Sequence, residues 1–138
     1  PLHLVDCFVL NEIEAADITH LPLASPPKLL LEILLRKFRR AKIVLTLGKS
    51  GVIYADGTRI FTHGIYDVPV KDTTGAGDTF TGYFIASLAQ NMPPEQALEL
   101  ASKASSLAVS KKGAAPSIPS ISEVRQAALQ YIPARWEL

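Results

Sequence analysis

The chain has 138 residues, 48% of them hydrophobic and 20% charged, proportions that suit a folded globular protein. A formal net charge of +1 provides no overall field to draw it onto nucleic acid or an anionic membrane. A lone cysteine, Cys7, excludes an internal disulfide and a cysteine-based metal cluster, and points to a reducing, cytoplasmic setting.

No apolar run reaches the length of a membrane-spanning helix, and the opening residues do not read as a signal peptide. Residues 5–10, "VDCFVL", read as a short buried strand, and "NEIEAADI" after them as a short helix. Prolines at 22, 26 and 27 mark a loop and the start of the next helix. Over 28–40, Leu30, Ile33, Leu34 and Phe38 recur near helical spacing, and the closing "RKFRR" reads as a solvated face whose cations suit a helix C-terminus. The β-branched run 42–47, "KIVLTL", has the continuous apolar character of a buried parallel strand. Two strand-like pieces then flank Asp56-Gly57, a hairpin dipeptide, and 65–70, "IYDVPV", reads as a further strand bent or placed at an edge by Pro69.

Three helices follow. Over 76–90, Phe80, Phe84, Ile85 and Leu88 form one apolar face; 95–111 is rich in Ala and Ser; 122–131 is predicted from "SEVRQAALQY". Strands alternating with helices predict an α/β fold, a mostly parallel sheet flanked by helices.

The stretch "DTTGAGDTF" at 72–80 carries the chemistry. The first N–H groups of a helix lack intrahelical acceptors, and the helix dipole makes that end partly positive. Glycines let backbone approach a ligand with no Cβ in the way, so "GAG" at a helix start suits an anion such as phosphate. A tight strand-to-helix turn with no ligand is the alternative. The stretch is not a P-loop, for GxxxxGK[ST] is absent, nor the dinucleotide fingerprint, for Phe80 stands where its third glycine belongs. Asp78 follows at once. As a mere first-turn acid it contributes about 0.3–1 kcal/mol. Beside an anion hole it can also orient a hydroxyl and take its proton during attack on phosphorus.

With its neighbours, "VKDTTGAGDTFTGYF" closely resembles the C-terminal signature of the ribokinase-like (PfkB) carbohydrate kinases. "NEIEA" at 11–15 resembles that family's NxxE motif, "TLGKSG" at 46–51 its TLGxxG nucleotide-phosphate segment, and "ASLAVSKKGAAPSIP" the helix and turn bordering adenine. The four matches follow the family's order and cover nearly the whole chain.

The resemblance implies an ATP-dependent kinase acting on the hydroxymethyl group of a small sugar, with Asp78 as base and Gly75, Ala76 and Gly77 as the anion hole. It places Thr46, Leu47, Gly48, Lys49, Ser50 and Gly51 at the ATP phosphates, with Asn11 nearby. Glu14 acts on Mg2+ through water; Ser102 stands beside adenine, where relatives often carry Asn or His. Asn11 is alternatively a helix cap, and Glu14 a solvated helical acid. A potassium-like cation is implied at Asp72, Thr74, Ala108, Lys111, Gly113 and Ser117, several through backbone carbonyls.

Complete relatives are longer, and their N-terminal half, with the β lid and most sugar contacts, is expected to be absent from 1–138. The resemblance therefore implies a C-terminal nucleotide-binding and catalytic part, incomplete alone, with ribose or a similar sugar as the favoured acceptor. A nucleoside or vitamin-precursor kinase, or a non-catalytic truncated module that forms a homodimer, are the alternatives. His3, His20 and His63 show no ligand spacing and read as surface or capping residues; Cys7 reads as inert packing, and Trp136 as a packing residue.

Overall fold

The computed structural model describes residues 7–71, 73, 75–111 and 118–135. The chain forms two compact units, one of Pro1–Thr62 with Ala134–Leu138 and one of His63–Pro133.

In the first unit, strand β1 (Cys7–Asn11) leads into helix α1 (Glu12–Thr19), then α2 (Pro27–Lys37), and returns as β2 (Lys42–Thr46). β1 and β2 pair in parallel, Cys7 opposite Lys42 through Asn11 opposite Thr46. The two intervening helices supply the long crossover that a parallel pair demands. β3 (Val52–Ala55) pairs with β2 antiparallel, because the residues 47–51 between them are too few for a crossover. The sheet runs β1-β2-β3-β4, with β4 at Ile60–His63. It is a mixed sheet flanked by helices: the α/β class stands, while the mostly parallel arrangement narrows to the β1/β2 pair.

Helix α2 opens on Pro27 behind Pro26, where a missing N–H costs no hydrogen bond. It buries Leu30, Leu31 and Leu34 against Ile43 and Leu45 of β2, with Phe38 just beyond its end. Full burial of each such side chain contributes about 1.5–3 kcal/mol. Ile33, expected on that face, is only partly buried. Of the "RKFRR" cations, Lys37 donates from Nζ to the Ile18 carbonyl at 3.2 Å, while Arg36, Arg39 and Arg40 are exposed.

The Asp56-Gly57 hairpin forms as predicted. The Asp56 carboxylate accepts from the Thr58 and Arg59 amides at 3.0 and 2.9 Å and from the Tyr54 hydroxyl at 2.9 Å. Gly57 takes φ +89°. Burial opposes ionisation of Asp56, yet these donors hold its pKa at about 2.

The second unit is built on α3 (Ala76–Ala89) and α4 (Pro94–Val109), which pack on each other. α3 buries Thr79, Phe80, Phe84 and Ser87. Ile85 lies one residue, about 100° of rotation, off that face and is exposed, against expectation. α4 presents Ala97, Ala101, Ala104 and Ala108, each buried, so that small side chains allow close helix approach.

Two sequence expectations are corrected here. The strand of 65–70 is only β5 (Ile65–Asp67), since Pro69 has no amide for a ladder. The helix of 122–131 is α5 (Ile121–Gln126), followed by β6 (Gln130–Ile132), which pairs antiparallel with β5. α5 starts at a capping box in which Ser120 and Glu123 satisfy each other's backbone amides.

Candidate active site

The first unit gathers its candidate residues at the carboxyl ends of β1 and β2, the edge where open α/β sheets bind ligands. Asn11 and Thr46 are register partners there. Asn11 closes a capping box: its Oδ1 accepts from the Glu14 amide at 2.8 Å, and its own amide donates to Glu14 Oε1 at 3.0 Å. The NxxE spacing is thus first a helix start, with an exposed carboxylate attached. Thr46 Oγ1 donates to the Leu10 carbonyl at 3.2 Å, linking the two strand ends.

Beyond Thr46 the backbone turns tightly. The Leu47 amide donates to the Gly51 carbonyl at 2.8 Å, the Ser50 amide to the Leu47 carbonyl at 3.0 Å, and the Gly51 amide to the Gly48 carbonyl at 3.1 Å. Gly48 and Gly51 take φ values of +56° and +102°, a region that disfavours any side chain. Beyond its chain neighbours, no atom of the described residues lies within 4 Å of where a Cβ on Gly48 would sit, so the turn is open at that point to an approaching ligand. Lys49 is exposed and Ser50 half-buried; the Ser50 carbonyl accepts from the Arg135 amide at 3.3 Å.

The second unit carries the catalytic candidates. Gly75 takes φ +80° as the N-cap of α3, with no side-chain cap. The Ala76 amide turns back to the Thr73 carbonyl at 3.2 Å, and the Thr79 amide donates to the Gly75 carbonyl at 2.9 Å. Space beside Gly77 is open where a Cβ would project. Asp78 stands in the first turn, exposed, and lines a mostly apolar cavity of about 340 Å³ with Thr79, Gly82, Tyr83, Ile118 and Ile121. Tyr83 donates its hydroxyl to the Pro119 carbonyl across that cavity wall, and burial raises its pKa.

The end of α4 lies against the start of α3. Ser105 Oγ donates to the Ala76 carbonyl at 3.1 Å, and the Lys71 amide to the Val109 carbonyl at 2.8 Å. Ala108 is buried, with its carbonyl accepting from the Lys111 amide at 3.2 Å. Lys111 Nζ meets Glu123 Oε2 at 2.9 Å, which lowers the Glu123 pKa. Ser102 is buried in α4 at 6% exposure. Asp72, Thr74, Gly113 and Ser117 lie outside the described residues, as do His3 and Trp136.

Among the described residues no group of three His, Cys, Asp or Glu side chains comes together to hold a metal. Glu14 offers an exposed carboxylate in the first unit's cluster, with one oxygen engaged by Asn11. That donor set suits magnesium, which keeps several waters and takes few protein ligands when phosphates supply the rest.

Sequence reasoning missed three features. Thr79 Oγ1 is buried without a hydrogen-bond partner among the described residues, one residue from Asp78. Tyr83 fastens Pro119. His63, read as a surface or capping residue, is half-buried with its Nε2 3.3 Å from the Tyr66 hydroxyl. No motif or periodicity in the chain signals these features. His20, by contrast, does cap a helix, closing α1 at φ 59°.

Comparison with known proteins shows the family. The model of the pfkB family carbohydrate kinase matches residues 1–121. A ribokinase of Lactococcus lactis is 36% identical over 90% of this chain, which covers 39% of that protein. The structure of Arabidopsis thaliana ribokinase complexed with ribose and ATP superposes at a TM-score of 0.83 with 29% identity, over 91% of this chain and 41% of that one. A putative ribokinase II from E. coli in complex with ATP and Mg2+ gives a TM-score of 0.79 at 26% identity, over 90% and 39%. The chain spans about two fifths of the length of these proteins. With 121 of its 138 residues inside the family match, the chain belongs to the pfkB family of carbohydrate kinases.

Proposed function

We propose that this chain is the nucleotide-binding and catalytic part of an ATP-dependent kinase that phosphorylates the hydroxymethyl group of a small sugar, ribose or one like it. The observation that carries the reading is the start of α3: a left-handed Gly75, open space at Gly77, and Asp78 exposed in the first turn on a cavity. The Asp78 carboxylate accepts the sugar hydroxyl proton as that oxygen bonds to the γ-phosphorus and the bond to the β-phosphate oxygen breaks, releasing ADP. Backbone N–H groups at Gly75, Gly77 and Ala76, the last turning from its bond to the Thr73 carbonyl, stabilise charge on the transferring phosphoryl together with the positive end of α3.

Thr46, Leu47, Gly48, Lys49, Ser50 and Gly51 approach the ATP phosphates through a turn shaped by two positive-φ glycines and open at Gly48, with Asn11 beside them. Glu14 would reach a magnesium ion through water, and such an ion would supply neutralisation of phosphate charge. Ser102 borders adenine. Asp72, Thr74, Ala108, Lys111, Gly113 and Ser117, several through backbone carbonyls, would hold a potassium-like cation, which would steady the turn before α3. The relatives named ribokinase, and the neighbour solved with ribose and ATP, support the sugar and the nucleotide.

The test is Asp78→Asn in a chain extended to the length of its relatives. Turnover is expected to fall by about 10²–10⁴-fold, with ATP affinity nearly unchanged. A mutant as active as the parent removes Asp78 from the chemistry. A second reading, a truncated module that dimerises without catalysis, draws on the two-fifths coverage of the relatives.

A further inference from the structure

The ribbon of β5 and β6 holds a cluster that the proposed chemistry leaves unused. His63, Tyr66 and Tyr131 form a three-ring group with centroid separations of 5.9 Å, 4.9 Å and 5.5 Å. The Gly64 amide donates to the Tyr131 hydroxyl at 2.7 Å, so one strand is fastened to the other beyond their backbone ladder. That ladder has only three register pairs, Ile65 with Ile132, Tyr66 with Tyr131 and Asp67 with Gln130. A ribbon this short owes much of its stability to side-chain pairs. Both places where the chain passes from one compact unit to the other flank it, at 62–63 and 133–134.

We propose that His63 is a pH-sensitive clasp on this ribbon: neutral, it closes the ring cluster, and protonated, it loosens the β5–β6 pairing. With Nε2 unprotonated, the imidazole accepts from the Tyr66 hydroxyl at 3.3 Å. That hydroxyl keeps its proton throughout, since burial, Glu99 and Tyr131 push its pKa up to about 12. A proton on Nε2 reverses that bond, so that the imidazolium donates to the Tyr66 oxygen and the Tyr66 O–H must turn to another acceptor, and it puts a charge in a half-buried site among three rings.

The groups facing His63 are Tyr66 of β5, Tyr131 of β6 and Glu99 of α4. Glu99, and the Tyr131 ring by cation–π attraction, favour the cation, but burial outweighs them and His63 sits below its ordinary pKa of 6.5. A base with a lowered folded pKa contributes stability that is complete above 6.5 and is lost as pH falls through the folded value.

The test is amide hydrogen exchange followed by NMR, with the His63 ring titrated in the same samples. Protection of the Tyr66 and Tyr131 amides is expected to fall several-fold between mildly alkaline and mildly acidic pH, tracking the ring, while the Phe84 amide in α3 keeps its protection. His63→Gln, neutral at every pH, should hold the ribbon amides at constant protection. Should that variant fail to fold, Glu99→Gln at an exposed position serves instead and should move the midpoint to lower pH. A flat wild-type profile, an equal fall in His63→Gln, a midpoint indifferent to Glu99→Gln, or loss of protection everywhere at once would each overturn the clasp. None of these readouts involves phosphoryl transfer, so the result stands apart from the kinase reading.

Discussion

Asn11 accepts the Glu14 amide while its own amide reaches the Glu14 carboxylate, and that reciprocity makes the residue hard to interpret from mutation alone. Removing the cap with Asn11→Ala should cost about 1 kcal/mol of stability. Asn11→Ser keeps a capping oxygen but shortens the reach toward a phosphate. We expect urea unfolding to show stability restored in Asn11→Ser, and a nucleotide titration to show affinity weakened several-fold in both variants. If serine restores affinity as well, Asn11 is a cap and nothing more.

Asp56 supplies a purely structural counterpart. Its pKa of about 2 lies below the ordinary 3.8, so the carboxylate contributes stability that is full above 3.8 and lost as pH falls toward 2. Asp56→Asn should therefore be less stable at neutral pH and show a smaller further loss across that acid window, read by acid titration of far-ultraviolet dichroism. Residues of both kinds were legible in the sequence because their partners lie within three positions along the chain. His63 was not: Tyr66 is only three positions on, but the ring cluster that half-buries His63 closes with Tyr131, far along the sequence.

Elements divide the same way. Helices α2, α3 and α4 could be read from spacing and proline punctuation, since a helix is made of contacts three and four residues apart. The β5–β6 ribbon could not. "ALQY" has good helix formers, and only pairing with a strand some sixty residues earlier pulls 130–132 into extended form. The Ser120–Glu123 capping box was present in the sequence and marks the start of α5 where a start at 122 was read.

Just before β5, Gly64 runs close against β6: a Cβ there would sit 1.8 Å from the Ile132 carbonyl oxygen. That oxygen belongs to backbone and has no rotamer to escape into. Gly64→Ala should therefore push β6 away and destabilise the chain by roughly 1–3 kcal/mol. The check is a urea midpoint together with the near-ultraviolet dichroism of the Tyr66–Tyr131 pair. A variant with unchanged midpoint and tyrosine signal would mean that the strands part at little cost.

At the scale of the whole molecule, the α/β class and the order of the motifs were legible, because each motif is a continuous run of residues. The division into two compact units was not, since it depends on the chain leaving the first unit at 62–63 and rejoining it at 133–134. The shared fold also limits what these 138 residues do alone. Some 59% of the Arabidopsis chain, which was solved with ribose and ATP, has no counterpart in the 41% that superposes. Phosphoryl transfer needs the acceptor positioned and water excluded, tasks worth several powers of ten in rate. In addition, β1 stands at the end of its described sheet, and an open strand edge invites pairing with another chain. We therefore expect the isolated chain to bind nucleotide weakly, to phosphorylate ribose at no rate above background, and to regain transfer when extended to the relatives' length. Light scattering, a nucleotide titration and a coupled ADP-release assay on both chains decide the matter. A clean monomer that binds ATP and transfers phosphate would show that the 138 residues already hold the acceptor and keep water out.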